Sequence, residues 1–240
     1  METKWMMQAV LLAGATAACL FPARGYGAET VTVELELLLA VDVSSSVSSE
    51  EYALQVQGLA KALTDPTVLS AIQGTGRLGI AVSVAQWANA ANQVIAIDWM
   101  NISGSDSVFR LARQIQHMRR HFVGGDTRIG DAIRFAASEL TGNSIESRRM
   151  VIDIAGDGGI ENMGIAAAAR DDATDQGITI NGLAIENEIS ELAGFFRENV
   201  IGGEDAFVIR TTSYAHFAVA MRRKLFREIT NSPLAMLQDR

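Results

Sequence analysis

Hydrophobic and polar positions along the chain switch repeatedly between two periods. Residues 35–46 read LELLLAVDVSSS, a near-continuous apolar run from Leu37 to Val41 that ends in oxygen-bearing side chains. A run without polar alternation predicts a strand covered on both faces, as in a parallel sheet between helical layers. The period then becomes helical. Ser48 and Glu51 have capping-box spacing, and Tyr52, Val56, Leu59 and Leu63 recur on one helical face until Thr64-Asp65-Pro66 breaks the run. A shorter helical patch at 68–72 leads into the turn Gly74-Thr75-Gly76. Two strand candidates follow, residues 78–87 (LGIAVSVAQW) and 94–99 (VIAIDW). Their link is too short for a crossover helix, so an antiparallel hairpin is expected, with one antiparallel edge strand on an otherwise parallel sheet.

The alternation continues to the end of the chain. Residues 105–121 predict a helix with Val108, Leu111, Ile115 and Met118 on one face. Arg119, Arg120 and His121 fall in its last turn, where cations complement the helix dipole. The loop Val123-Gly124-Gly125-Asp126-Thr127 precedes a helix carrying Ile129, Ala132, Ile133 and Ala136. An apolar strand from Val151 then ends in Gly156-Asp157-Gly158-Gly159. An alanine-rich helix at 165–176 stops at Gly177; a strand at 178–185, a helix at 190–199 and a short strand at 206–210 follow. A last amphipathic helix spans 214–229, and Pro233 begins a polar tail. This order predicts an α/β fold, with a mostly parallel central sheet and helices on both faces. Without an internal repeat or linker, one domain is expected over residues 34–230, with a tail at 231–240.

Composition narrows the reading. A chain of 240 residues with 48% hydrophobic content has enough apolar side chains for one sizeable core. A net charge of −8 at pH 7 argues against nucleic acid as a partner, since such proteins present a basic face. Residues 1–27 have the make-up of a secretory signal peptide: Lys4 before an apolar stretch at 6–21, with Gly25 and Gly27 offering small residues for cleavage. The apolar stretch is short for a membrane span, so no stable span is expected after cleavage. Cys19 as an acylated lipoprotein residue ranks lower, because Thr16-Ala17-Ala18 lacks the usual lipobox leucine. Cleavage after Gly27 leaves a cysteine-free acidic chain suited to the periplasm or the outside of the cell.

Three places carry candidate chemistry. Asp42, Ser44 and Ser46 put hard oxygens at alternate positions just beyond a strand end, where open α/β sheets bind ligands. Such oxygens suit Mg2+, although serines after strands also serve as turns and caps. Thr127 follows two glycines that let the backbone turn sharply; its alternative role is a helix N-cap. Asp157 holds the same position as Asp42 at another strand end, or is a turn residue. His117 and His121 are four residues apart on the predicted helix, and without a third nitrogen ligand nearby they read as surface residues. His216 reads as a packing or surface residue.

Taken together, Asp-x-Ser-x-Ser after the first strand, Gly-Gly-x-Thr before a middle helix and Asp-Gly after the next strand resemble the von Willebrand factor type A (vWA) domain. The resemblance spans roughly residues 34–230, and its nearest variant is an uncharacterised, exported, single-domain bacterial-type branch. It implies a Rossmann-like fold with a metal-ion-dependent adhesion site (MIDAS). Ser44 and Ser46 would then be direct ligands, Thr127 a ligand in the tight-binding form, and Asp42 and Asp157 would hold the ion largely through bound water. Mg2+ is the implied cation, with Mn2+ and Ca2+ also compatible with these oxygens. A glutamate or aspartate from a protein partner would complete the octahedron. Asp126 lies outside the family's liganding set and is expected to be solvated. One departure is Gly156-Asp157-Gly158, where many members have Thr-Asp-Gly.

The function expected is therefore a non-enzymatic, divalent-cation-dependent protein-binding module. A structural subunit with a merely stabilising metal is the alternative. A metal-assisted hydrolase or phosphoryl-transfer enzyme with Asp42 as nucleophile ranks below both: no general base, no phosphate-cradling lysine motif and no nucleophile–histidine arrangement accompanies it.

Overall fold

The computed structural model describes residues 31–158 and 163–231. The expected signal peptide at 1–27, Cys19 within it and the tail beyond Asn231 lie outside the described residues. The apolar run becomes strand β2 (Leu35–Asp42), buried along its whole length. Successive side chains of a strand point to opposite faces, so both faces must be covered. Leu35, Leu37, Leu39 and Val41 enter one core, and Leu38 and Ala40 enter the other.

Helices α1 (Ser49–Leu63), α2 (Pro66–Gly74), α3 (Ser105–Gln116) and α7 (Phe217–Thr230) cover the first face. Helices α4 (Ile129–Thr141), α5 (Met163–Thr174) and α6 (Leu192–Asn199) cover the second. The capping box at the start of α1 forms as expected: Glu51 N donates to Ser48 Oγ at 3.2 Å, and Ser48 N to Glu51 Oε2 at 2.8 Å.

The sheet adds β3 (Ile80–Trp87), β4 (Gln93–Ile102), β6 (Met150–Gly156), β7 (Ile178–Ile185) and β8 (Val208–Thr211). Their order is β4-β3-β2-β6-β7-β8, and every neighbouring pair is parallel except β3–β4. From β2 the chain builds outward through β3 and β4, then returns to β6 and builds in the other direction. The crevice beyond the carboxyl ends of β2 and β6 is therefore the topological switch point, where open α/β sheets bind ligands. Asp42 is the last residue of β2, and Asp157 directly follows β6.

Two features depart from the pattern. A small parallel pair, β1 (Val31–Val33) with β5 (Ile145–Ser147), lies beside the main sheet. Three-residue strands are too short to register a period. The pair is tied to β2 through buried Glu36, which accepts from Ser147 Oγ at 2.7 Å and Asn143 Nδ2 at 2.8 Å.

The second departure is a correction. The helix expected to reach His121 stops at Gln116, and residues 118–128 form an irregular connector. Gln86, buried on β3, takes the backbone groups a longer helix would use: its Nε2 donates to Arg119 O at 2.9 Å, and His121 N donates to its Oε1 at 2.8 Å. Tyr52 Oη donates to Met118 O at 3.1 Å. Arg119, Arg120 and His121 thus lie outside the last turn of the helix, with Arg119 and His121 exposed and the Arg120 side chain reaching the loop after β2.

Candidate metal centre

Three loops converge at the switch point. Ser44 N donates to Asp42 Oδ1 at 2.8 Å, closing a tight turn directly after β2. The turn brings Ser44 Oγ and Ser46 Oγ within 3.1 Å of each other. Thr127 Oγ1 donates to Ser44 Oγ at 2.9 Å, and Ser46 Oγ donates to Asp157 Oδ1 at 2.7 Å. All five residues singled out in the sequence therefore share one site: Asp42, Ser44, Ser46, Thr127 and Asp157. Asp42 and Ser44 are fully buried and Asp157 nearly so, whereas Ser46 and Thr127 are half-buried and open the site toward solvent.

The glycine loop is what delivers Thr127. Ser45 lies outside the hydroxyl cluster and fastens the two loops together, with both its N–H and its Oγ donating to Gly125 O at 3.0 Å. Gly125 has φ +111°, and a Cβ there would lie 2.9 Å from Asn92 Nδ2, so a side chain would be strained and crowded. Thr127 does not cap α4. Arg128 holds the N-cap position without a side-chain cap bond, and the threonine hydroxyl is committed to Ser44 instead. Asp126 is exposed, as expected. His117 and His121 are also exposed, with His117 Nδ1 against Arg113 O at 2.8 Å, and His216 is exposed beside Ser213.

The electrostatics favour a cation. Asp42 Oδ2 and Asp157 Oδ2 are both buried with no hydrogen-bond partner. Burial pushes the Asp42 carboxyl up to about 7; the nearby Asp157 carboxylate adds to this, and hydrogen bonds from Ser44 oppose it. Among the described residues no cluster of three or more His, Cys, Asp or Glu side chains suits a metal, so the donor set here is hydroxyl-rich with two carboxylates. Hard oxygens, two orphaned carboxylate oxygens and low formal charge together fit a hard divalent cation that keeps an open position.

Several residues at the site gave no sequence signal. The Tyr214 phenol is buried against the carboxylates: burial, followed by the Asp157 and Asp42 charges and an interaction with the Asp157 side chain, raises its pKa. Gln55 Nε2 donates to Asp42 O at 3.1 Å. Trp87 explains the Gly156 departure: a Cβ at Gly156 would lie 3.0 Å from Asp42 Oδ2 and 3.4 Å from the Trp87 ring, so the indole fills space that a threonine would need. Arg120 binds the carbonyls of Val43, Ser44 and Val47.

The class follows from fold and site together. The switch-point arrangement, with one antiparallel edge strand and helices on both faces, is the vWA fold, and solved structures agree. Proximal thread matrix protein 1 (PTMP1) from the mussel byssus superposes with TM-score 0.62 at 14% identity, covering 84% of this chain and 48% of that one. A von Willebrand factor type A protein from Catenulispora acidiphila gives 0.58 at 13% identity, covering 82% and 43%. The vWF domain of the type V pilus tip protein Mfa5 from Porphyromonas gingivalis gives 0.57 at 10% identity, covering 82% and 95%. The chain spans about half the length of PTMP1. No curated protein matches the chain in sequence. The chain belongs to the family described as "Protein of unknown function (DUF1194)", whose family model matches residues 32–233.

Proposed function

We propose that this chain is a divalent-cation-dependent protein-binding module, exported to the periplasm or the cell exterior. The observation that carries the reading is the convergence of three hydroxyls with two buried carboxylates, each of which keeps one unpartnered oxygen. Ser44, Ser46 and Thr127 would be direct ligands, and Asp42 and Asp157 would act largely through bound water. Two carboxylates leave a divalent ion short of neutrality only once their charge is shared through water, and this favours one further carboxylate from outside. A partner's glutamate or aspartate supplies it, at the centre of a larger contact. Mg2+ is the expected ion, with Mn2+ or Ca2+ compatible. PTMP1 has also been solved with a zinc-occupied MIDAS motif, superposing here with TM-score 0.56, and the Mfa5 structure comes from a pilus tip protein; both support the reading.

Among the described residues no helix is long and apolar enough to cross a membrane. That proteins sharing this fold include a thread matrix protein and a pilus tip protein supports binding over catalysis.

Thermal melts in EDTA, Mg2+, Mn2+ and Ca2+ test the site. A cation at a hundred times its Kd stabilises by about 2.7 kcal/mol, or roughly 5–10 °C for a domain of this size. Asp42→Ala should fold and lose the rise. Identical melts in EDTA and in every cation would defeat the assignment.

A further inference from the structure

The guanidinium of Arg120 is built into the hydroxyl loop from behind. Its Nη1 donates to Val47 O at 2.8 Å, and its Nη2 donates to Val43 O at 2.8 Å and Ser44 O at 2.9 Å. These three carbonyls bracket the stretch that presents Ser44 Oγ and Ser46 Oγ. The arginine is itself held in place. Gln86 clamps the backbone on either side of it, at Arg119 O and His121 N, and the guanidinium lies 5.9 Å from the centre of the Tyr52 ring. The early end of α3 thus has a use: it releases Arg120 from a helical turn and aims it at the loop.

We propose that Arg120 is a positioning residue of the metal centre, holding the loop at 43–47 in its ligating curvature when no cation is bound. The consequence for affinity rests on the metal reading above, whereas the brace rests on these hydrogen bonds alone. Three carbonyls turned to one side repel one another, and the planar fork of an arginine satisfies all three at once, which a lysine ammonium does not do in the same geometry. A loop held in advance has less ordering to complete on binding its ion.

Arg120→Lys separates bracing from simple charge. The positive charge both repels a cation and helps to keep Asp42 ionised, so its loss alone carries two opposed effects, whereas a lysine keeps the charge and loses only the fork. Bracing predicts weaker binding in both variants. Mg2+ and Mn2+ titration calorimetry should show affinity falling about tenfold or more in Arg120→Met, and also in Arg120→Lys, which keeps the charge and loses the fork. Amide exchange on the EDTA-treated protein gives a reading that needs no metal. Ser45 and Val47, whose N–H groups bond Gly125 O and Ser44 O, should exchange faster in both variants, with α4 and β7 unchanged. Tighter cation binding in Arg120→Met, or wild-type affinity and exchange in Arg120→Lys, would overturn the proposal, as would faster exchange throughout the molecule. A wild-type protein that takes up no cation would defeat the metal reading, and the loop exchange would still decide whether the brace exists.

Discussion

Asp42 shows how a single residue can be placed against its own stability. Its carboxylate is fully buried beside a second acid, and one of its oxygens has no donor. Raising its pKa to about 7 means that the fold resists the ionised form, at about 1.4 kcal/mol per unit. Asp42→Asn keeps an acceptor for Ser44 N and removes that charge. In EDTA at pH 8 the variant should therefore be more stable than the parent, by about 1–3 kcal/mol in urea unfolding. In Mg2+ the order should reverse, because only the parent gains from the ion. A variant that is weaker in EDTA would mean that Asp42 is already satisfied without a cation. At this scale the sequence was informative where side chains sit on loops at strand ends: the five hard-oxygen residues are adjacent to turns that any reading would notice. Tyr214, Trp87 and Arg120 were silent because each reaches the site from a distant element, and nothing in local spacing reports where a helix start or a connector will lie.

At the scale of elements, α7 is fixed to the sheet by charge as well as by apolar packing. Lys224, fully buried, pairs with Asp153 of β6 at 2.9 Å and with Glu228 one helical turn on at 2.6 Å, and Asn181 of β7 donates to Glu228 at 3.1 Å. Two carboxyls share one ammonium. Burial, with the Asp153 carboxylate adding to it, pushes Glu228 up to about 8, and Lys224 opposes the shift. A folded pKa above the ordinary 4.5 means that the native state holds a proton the unfolded chain has lost. The stability tied to that proton is complete below the unfolded pKa and drains away as pH rises through about 8. Unfolding free energy should thus decline between about pH 5 and 8 in the parent, level off above that, and stay flatter in Glu228→Gln; parallel curves would remove Glu228 as the cause. Removing the cation with Lys224→Met should cost about 3–5 kcal/mol, since both acids then lie buried without it. Periodicity predicts α7 as amphipathic and β6 as apolar, and both form. It does not reveal that Lys224 and Glu228 lie on the buried stripe, because an ion pair is visible only once the strand opposite is known. The α3 boundary failed for the same reason: the apolar spacing continues to Met118, but Gln86 from another strand claims the backbone at 119 and 121.

For the whole molecule, net charge and metal site pull in different directions. The chain carries −8 at pH 7, so at long range it repels the acidic partner that its site is proposed to hold. Long-range repulsion and attraction between exposed charges are screened within about 10 Å at 0.1 M salt and about 3 Å at 1 M. A carboxylate ligating a half-buried cation is in direct contact and is screened far less. These ranges separate two ways in which an acidic protein can retain a partner. Adsorption of a basic protein to the acidic surface would be released by salt and indifferent to chelation. Coordination through the switch-point site predicts the reverse: a partner retained in Mg2+ stays bound in 0.5 M NaCl, leaves in EDTA, and is not retained by Asp42→Ala. Its association should also quicken as salt rises from 10 to 150 mM if it is acidic overall, because screening lifts the repulsion between the two negative molecules. Surface plasmon resonance on the purified pair would measure all four responses. Release by salt with no response to EDTA would assign the interaction to the acidic surface and leave the five-residue site without a part in it.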